Sequence, residues 1–127
     1  MIREAVRDDI PVIRRMILLD VQKRSWEDQS GLEPDPFSID TVLRYHILKE
    51  DSVVLVNEED EVSGYLVGQL LPFVLDIRKW VAHEKMSGGQ GTKELWDEFL
   101  SWGKSKGAEV MVVGCYDQLE GSRFRRI

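Results

Sequence analysis

The 127-residue chain has 43% hydrophobic residues and a formal net charge of -6, which suits a single domain with its own core rather than two. That acidity argues against non-specific nucleic-acid binding. A lone cysteine, Cys115, excludes an internal disulfide framework and a cysteine-built zinc site. No apolar run approaches bilayer length, and Met1-Ile2-Arg3-Glu4 carries no signal-peptide core. The expectation is a soluble, cytoplasmic single domain over 1–127, with no membrane contact and no bound metal.

Ile2 to Val6 reads as a first strand. Asp8 or Asp9 can cap a helix that tolerates Pro11 in its first turn, with Ile10, Ile13, Ile17 and Val21 on one face. Ser25 to Phe37 holds Gly31, Pro34 and Pro36 and reads as a loop. Ser38 is placed to cap a second helix carrying Ile39, Val42, Leu43, Tyr45, Ile47 and Leu48. Ser52 to Val56 and Val62 to Leu71 flank the polar turn Asn57 to Asp60 and predict a hairpin. Pro72 interrupts, and Val74 to His83 supplies the next strand.

Three glycines then fall among four residues, Gly88, Gly89 and Gly91, just before a helical pattern. Leu95, Phe99 and Trp102 share one face of that helix, and Gly107 is its C-terminal stop. Glu109 to Cys115 is short, apolar and β-branched, as a buried strand is. Glycines ahead of a helix start can admit an anion to free backbone N–H groups, or can simply turn the chain. A dinucleotide fingerprint fails because Glu94 stands where its third glycine belongs, and a phosphate-binding Walker loop fails on the order Gly91-Thr92-Lys93.

The order β-α-α-β-β-β-α-β, with Val81 closing an apolar stretch and Met86-Ser87-Gly88-Gly89-Gln90-Gly91 fitting Q/R-x-x-G-x-G/A, resembles the GNAT superfamily of acyl-CoA-dependent N-acyltransferases. The resemblance runs from Ile2 to about Cys115. It implies an α/β fold with a mixed, mostly antiparallel sheet flanked by helices, and acetyl-CoA as co-substrate for acetyl transfer to a small-molecule or peptide amine. It further implies that Trp80, Val81 and Ala82 present backbone to the pantetheine arm where the fourth and fifth strands splay. The amides around Met86, Ser87, Gly88, Gly89, Gln90, Gly91 and Thr92 would wrap the pyrophosphate. Met86 departs from the family's Gln or Arg. A carboxylate at Gly89 or Gly91 is expected to block that site in a folded protein.

In the family a carboxylate or water deprotonates the amine and a tyrosine protonates the leaving thiolate, which points to Asp76 as base and Tyr116 as acid. Phe124 stands where the usual tyrosine falls. His83 and Glu84 read as solvated strand-end residues, His46 as an exposed or half-buried helix residue, and Cys115 as core. Trp26, Asp28, Glu33 and Asp35 lie where family members line the acceptor site. A catalytically silent acyl-CoA-binding module on the same fold is the alternative, and a small interaction protein without cofactor a third reading. The C-terminal strands of the family look short or missing after Tyr116. The fifth strand would then be a bare edge, covered by a second copy in a homodimer or by Leu119 and Phe124 folding back in a monomer.

Overall fold

The computed structural model describes residues 1–24, 33–113 and 123–126. Strand β1 (Ile2–Glu4) leads through a short 3-10 turn, Arg7–Asp9, into α1 (Ile10–Arg24), and α2 (Pro36–Leu48) follows. Strands β2 (Ser52–Glu58), β3 (Val62–Phe73) and β4 (Asp76–Gly89) come next, then α3 (Thr92–Ser105), β5 (Ala108–Val113) and β6 (Arg123–Arg126). They form one six-stranded sheet in the order β1-β2-β3-β4-β5-β6. Every pairing is antiparallel except β4 with β5, which α3 connects as a crossover.

Alternation along the central strands sorts side chains between two cores. Val54, Val56, Tyr65 and Val67 meet Ile10, Ile13 and Ile17 of α1 and Leu43 of α2 on one face. Val53, Leu55, Leu66, Leu70 and Ala82 meet Leu95 and Phe99 of α3 on the other. These helical residues are the ones whose spacing predicts buried stripes. The expected mixed, mostly antiparallel sheet with flanking helices is the observed fold.

The starts of the first two helices differ from expectation for electrostatic reasons. Asp9 is buried, accepts the Val6 backbone N–H at 2.7 Å, and accepts from the Nη1 and Nη2 groups of Arg3 at 2.9 Å each, which ties β1 to the helix entry. That Arg3 pairing holds the Asp9 carboxyl below the usual carboxylate range. Helix α2 is capped by Asp35, not Ser38. Asp35 accepts the Ser38 N–H at 3.1 Å and the Ser38 hydroxyl at 2.7 Å, with Pro36 in the first turn, where its missing N–H costs nothing.

Two corrections concern the later strands. Strand β4 does not end at His83 but continues to Gly89, so Gly88 and Gly89 pair with Tyr65 and Gly64 of β3. The predicted bare edge of β5 is covered within the chain: β6 pairs with it from Val110↔Arg126 to Val113↔Arg123. A dimer through that edge therefore has no free ladder to use. One short C-terminal strand is present where the sequence suggested short or missing ones.

The turn after β4 is pressed against β3. The Gln90 N–H donates to the Ser63 carbonyl at 2.9 Å, and a Cβ added to Gly64 would lie 2.0 Å from the Gln90 carbonyl oxygen. Gly64→Ala must shift backbone, which is expected to cost about 1–3 kcal/mol. Urea unfolding measures it, and a Gly64→Ala protein as stable as wild type would show that the close contact is not maintained in solution.

Candidate active site

The sheet opens along one line. Trp80, Val81, Ala82 and His83 pair with Ala108, Val110, Met111 and Val112 of β5, and the pairing then stops, while β4 keeps its β3 partner as far as Gly89. Beyond His83, alternate backbone groups on that side of β4 have no strand partner among the described residues. A bulge falls at the same place: Gly68 pairs with Glu84 and Val67 with Met86, leaving Lys85 extra. The open edge therefore covers Glu84 to Ser87. Trp80, Val81 and Ala82 lie just below it, and their β5-facing edge belongs to the sheet.

At the upper end of this edge α3 begins. Gly91 is its N-cap with φ of 83°, and the cap has no side chain to bond the first turn. The first helical N–H with a partner in the turn itself is that of Leu95, to the Gly91 carbonyl at 2.8 Å. The N–H groups of Thr92, Lys93 and Glu94 thus form the positive end of the helix, beside the open strand edge.

The glycines, however, are required by the protein itself. Gly89 has φ of 78°, and a Cβ there would meet the Ser63 carbonyl oxygen at 2.2 Å. A Cβ on Gly91 would meet the Asn57 side-chain nitrogen at 2.5 Å, and that nitrogen donates to the Gln90 carbonyl at 3.2 Å. A side chain at either position is strained by the positive φ and must displace the Ser63 carbonyl or the Asn57 amide, so a carboxylate there perturbs the fold as well as any bound anion.

Four side chains surround the opening. Glu84 is only 2% exposed and accepts the Trp96 indole N–H at 2.5 Å, joining β4 to α3. His83 alternates with Ala82, so it points to the face covered by α1 and α2. Its Nδ1 is buried without a hydrogen-bond partner, and burial, aided by Lys85, holds its pKa below the ordinary imidazole value. His46 of α2 is 3% exposed; its Nδ1 lies 2.9 Å from the Val42 carbonyl, and its Nε2 is buried and unpartnered. Burial first, and Lys85 in part, lower its pKa as well. Both imidazoles and Glu84, read from sequence as more exposed, are thus buried at least in part: His83 and Glu84 because β4 runs on as an inner strand, and His46 on the inner side of α2.

The predicted site residues fare unequally. Met86 packs against the α1/α2 core, which explains an apolar residue at a family Gln or Arg position. Asp76 sits at the far end of β4, at most about 26 Å from Glu84 at about 3.3 Å per residue. Arg78 holds it at 2.9 and 3.1 Å and lowers its pKa, which weakens it as a base. Tyr116, Cys115, Trp26 and Asp28 lie outside the described residues, while Asp35 is engaged as a helix cap. Sequence reasoning passed over His83 and Trp96; the signal available was their place beside the glycines, on the two elements that flank the opening.

The same fold occurs in solved structures that include several acetyltransferases. Solved structures with this fold include a tetramutant of the BH1408 protein of Bacillus halodurans, at TM-score 0.76 and 18% identity over 92% of this chain and 83% of that one. A ribosomal-protein-alanine N-acetyltransferase of Brucella melitensis matches at TM-score 0.67 and 18% identity over 88% and 72%. A predicted acetyltransferase of Clostridium acetobutylicum, solved with acetyl-CoA, matches at TM-score 0.61 and 14% identity over 93% and 83%. No protein-family profile and no curated protein sequence matches the chain.

The buried imidazoles predict a pH dependence with a definite sign. Both fold with lowered pKa values, so below about pH 6.5 the unfolded chain binds protons that the native one resists. Stability is full above that value and falls as the pH drops from 7 toward 5.5. His46→Gln should flatten this slope in urea unfolding, and an unchanged slope would mean that His46 is protonated without cost in the native protein.

Proposed function

We propose that the protein is an N-acetyltransferase that moves the acetyl group of acetyl-CoA to a primary amine by direct attack on the thioester. The observation that carries this reading is the one-sided edge of β4 from Glu84 to Ser87, running into the uncapped start of α3. In this reading the pantetheine arm pairs with the edge of β4 beyond its last described pair with β5. The pyrophosphate lies against the N–H groups of Thr92, Lys93 and Glu94, where the helix dipole adds about 0.3–1 kcal/mol. The acetyl-CoA held by the C. acetobutylicum protein supports the choice of co-substrate.

His83 points to the face of α1 and α2 and is only half-buried, and in this reading the amine reaches the imidazole from that side. His83 replaces Asp76 as the proposed base. A neutral imidazole takes the ammonium's proton, the free amine nitrogen bonds to the carbonyl carbon, the nitrogen gives up its second proton to solvent, and the carbon–sulfur bond breaks with its electron pair leaving on the thiolate. Tyr116 stays the proposed proton donor to that thiolate by family resemblance. The silent acyl-CoA-binding module remains a second reading because Met86, packed into the core, gives a ligand no polar contact.

A screen of amine acceptors with acetyl-CoA, reading thiol release, separates the two readings; calorimetric binding with no turnover on any amine selects the silent module. Thr92→Asp places a carboxylate in the first helical turn, where it suits the helix yet repels a pyrophosphate. It should weaken acetyl-CoA binding at least about tenfold with no loss of stability, a change of about 1.4 kcal/mol. Full affinity in that variant would remove the pyrophosphate from this helix start.

His83→Gln should lower kcat by about 10²–10⁴-fold with acetyl-CoA affinity retained. Wild-type activity should fall on the acid side through an apparent pKa below 6.5, since the base works unprotonated. An unaltered pH profile in His83→Gln would assign the proton to another group.

A further inference from the structure

Between the start of α1 and the last turn of α2 lies a cleft of about 130 Å³, lined by Arg7, Ile10, Arg44, Ile47 and Leu48. Ile10 is buried, Ile47 half-buried and Leu48 exposed, so the cleft runs from the edge of the α1/α2 core out to solvent. Its walls are almost entirely apolar atoms. The two arginines, both exposed, therefore line it with their methylene stems and carry their guanidinium groups at its mouth.

Among the described residues neither Arg7 nor Arg44 makes a hydrogen bond or an ion pair. The carboxylates best placed to neutralise them are held by other arginines. Asp9, two residues after Arg7, accepts from Arg3 at 2.9 Å, and Asp40, one helical turn before Arg44, accepts from Arg14 at 2.7 Å. Asp35 is engaged as the cap at the far end of α2. Glu4, Asp8, Glu50 and Asp51, the next nearest in sequence, are exposed and pair with neither. On a chain of formal net charge -6, two unpaired cations at one apolar cleft set this place apart from the surrounding surface.

Such a cleft selects a molecule by two features at once. Its walls accept an apolar body, and since a cavity of about 150 Å³ takes up benzene, a single ring or a branched chain of similar size matches the volume. Its mouth selects charge. Guanidinium groups bind carboxylate and phosphate oxygens through paired N–H donors, whereas they repel a cation and gain nothing from a neutral head.

We infer that this cleft is a binding site for a small organic anion, its ring-sized apolar body against Ile10, Ile47 and Leu48 and its carboxylate or phosphate head between Arg7 and Arg44. None of these five residues belongs to β4 or α3, so the inference stands apart from the proposed acetyl transfer. The bound anion would bridge the turn before α1 and the end of α2, so its occupancy stabilises the folded chain.

The test is an amide-resolved NMR titration of the full chain with benzoate, phenyl phosphate and neutral benzamide, beside an Arg7→Gln/Arg44→Gln variant. Benzoate or phenyl phosphate should give saturable shifts centred on Ile10, Arg44, Ile47 and Leu48, with a dissociation constant of about 1 mM or lower. Benzamide on the wild type, and either anion on the variant, should bind at least about tenfold more weakly. Both replaced side chains are exposed, so the variant alone should unfold at the wild-type midpoint. Tighter benzoate assigns a carboxylate head, and tighter phenyl phosphate a phosphate head. The absence of saturable shifts with both anions overturns the inference, as do equal affinity for benzamide, undiminished affinity in the variant, or shifts centred on the start of α3.

Discussion

Strand β4 keeps one neighbour and loses the other, and the organisation of the candidate site follows from that. Parallel pairing with β5 requires a crossover, the crossover is α3, and α3 has to start where β4 ends. Antiparallel pairing with β3 has no such demand and runs on to Gly89. The outcome is a stretch of inner strand with one edge open, ending at a helix N-terminus. Backbone groups on that edge and at that helix start are the donors and acceptors that a strand-like, anionic ligand needs.

The glycine cluster has its physical reason in the same constraint. To leave β4 and enter α3 within two residues, the chain folds back over the β2–β3 end, and Gly64, Gly89 and Gly91 remove the side chains that would collide there. Asn57 and Ser63 then hold Gln90 by hydrogen bonds. The glycines thus act on a ligand site indirectly, by letting β4 pass into α3 within two residues. Close approach of a ligand to the glycines themselves is not needed to account for them.

Polar groups buried near the opening are unevenly served. Glu84 is held by the Trp96 indole, and Asp9 at the other end of the sheet is held by Arg3. The free nitrogens of His46 and His83 have no such partner and sit near the same Lys85 ammonium, which together with burial keeps them neutral. Neutral imidazole at neutral pH is the form that can accept a proton. The hairpin at the opposite end of β4 contrasts with this: its charges are paired, and its apolar side chains are the ones left exposed.

From the sequence alone came the elements whose cause is local. Period-3.6 spacing of Ile10, Ile13 and Ile17, and of Leu95 and Phe99, determined the helix faces, and Gly107 the end of α3. The β-branched runs around Asn57 to Asp60 determined the β2–β3 hairpin. The order of those elements was enough to indicate the fold. Tertiary structure decided what depends on distant partners: that β4 runs through the glycines because β3 is there to pair with it, and that β6 covers β5. The sequence already set Asp76 near the start of this strand and His83 at its end, but it could not show that the strand runs on to Gly89 or that its described pairing with β5 stops at His83. Strand pairing joins residues far apart in sequence, so no local pattern can say where two strands part.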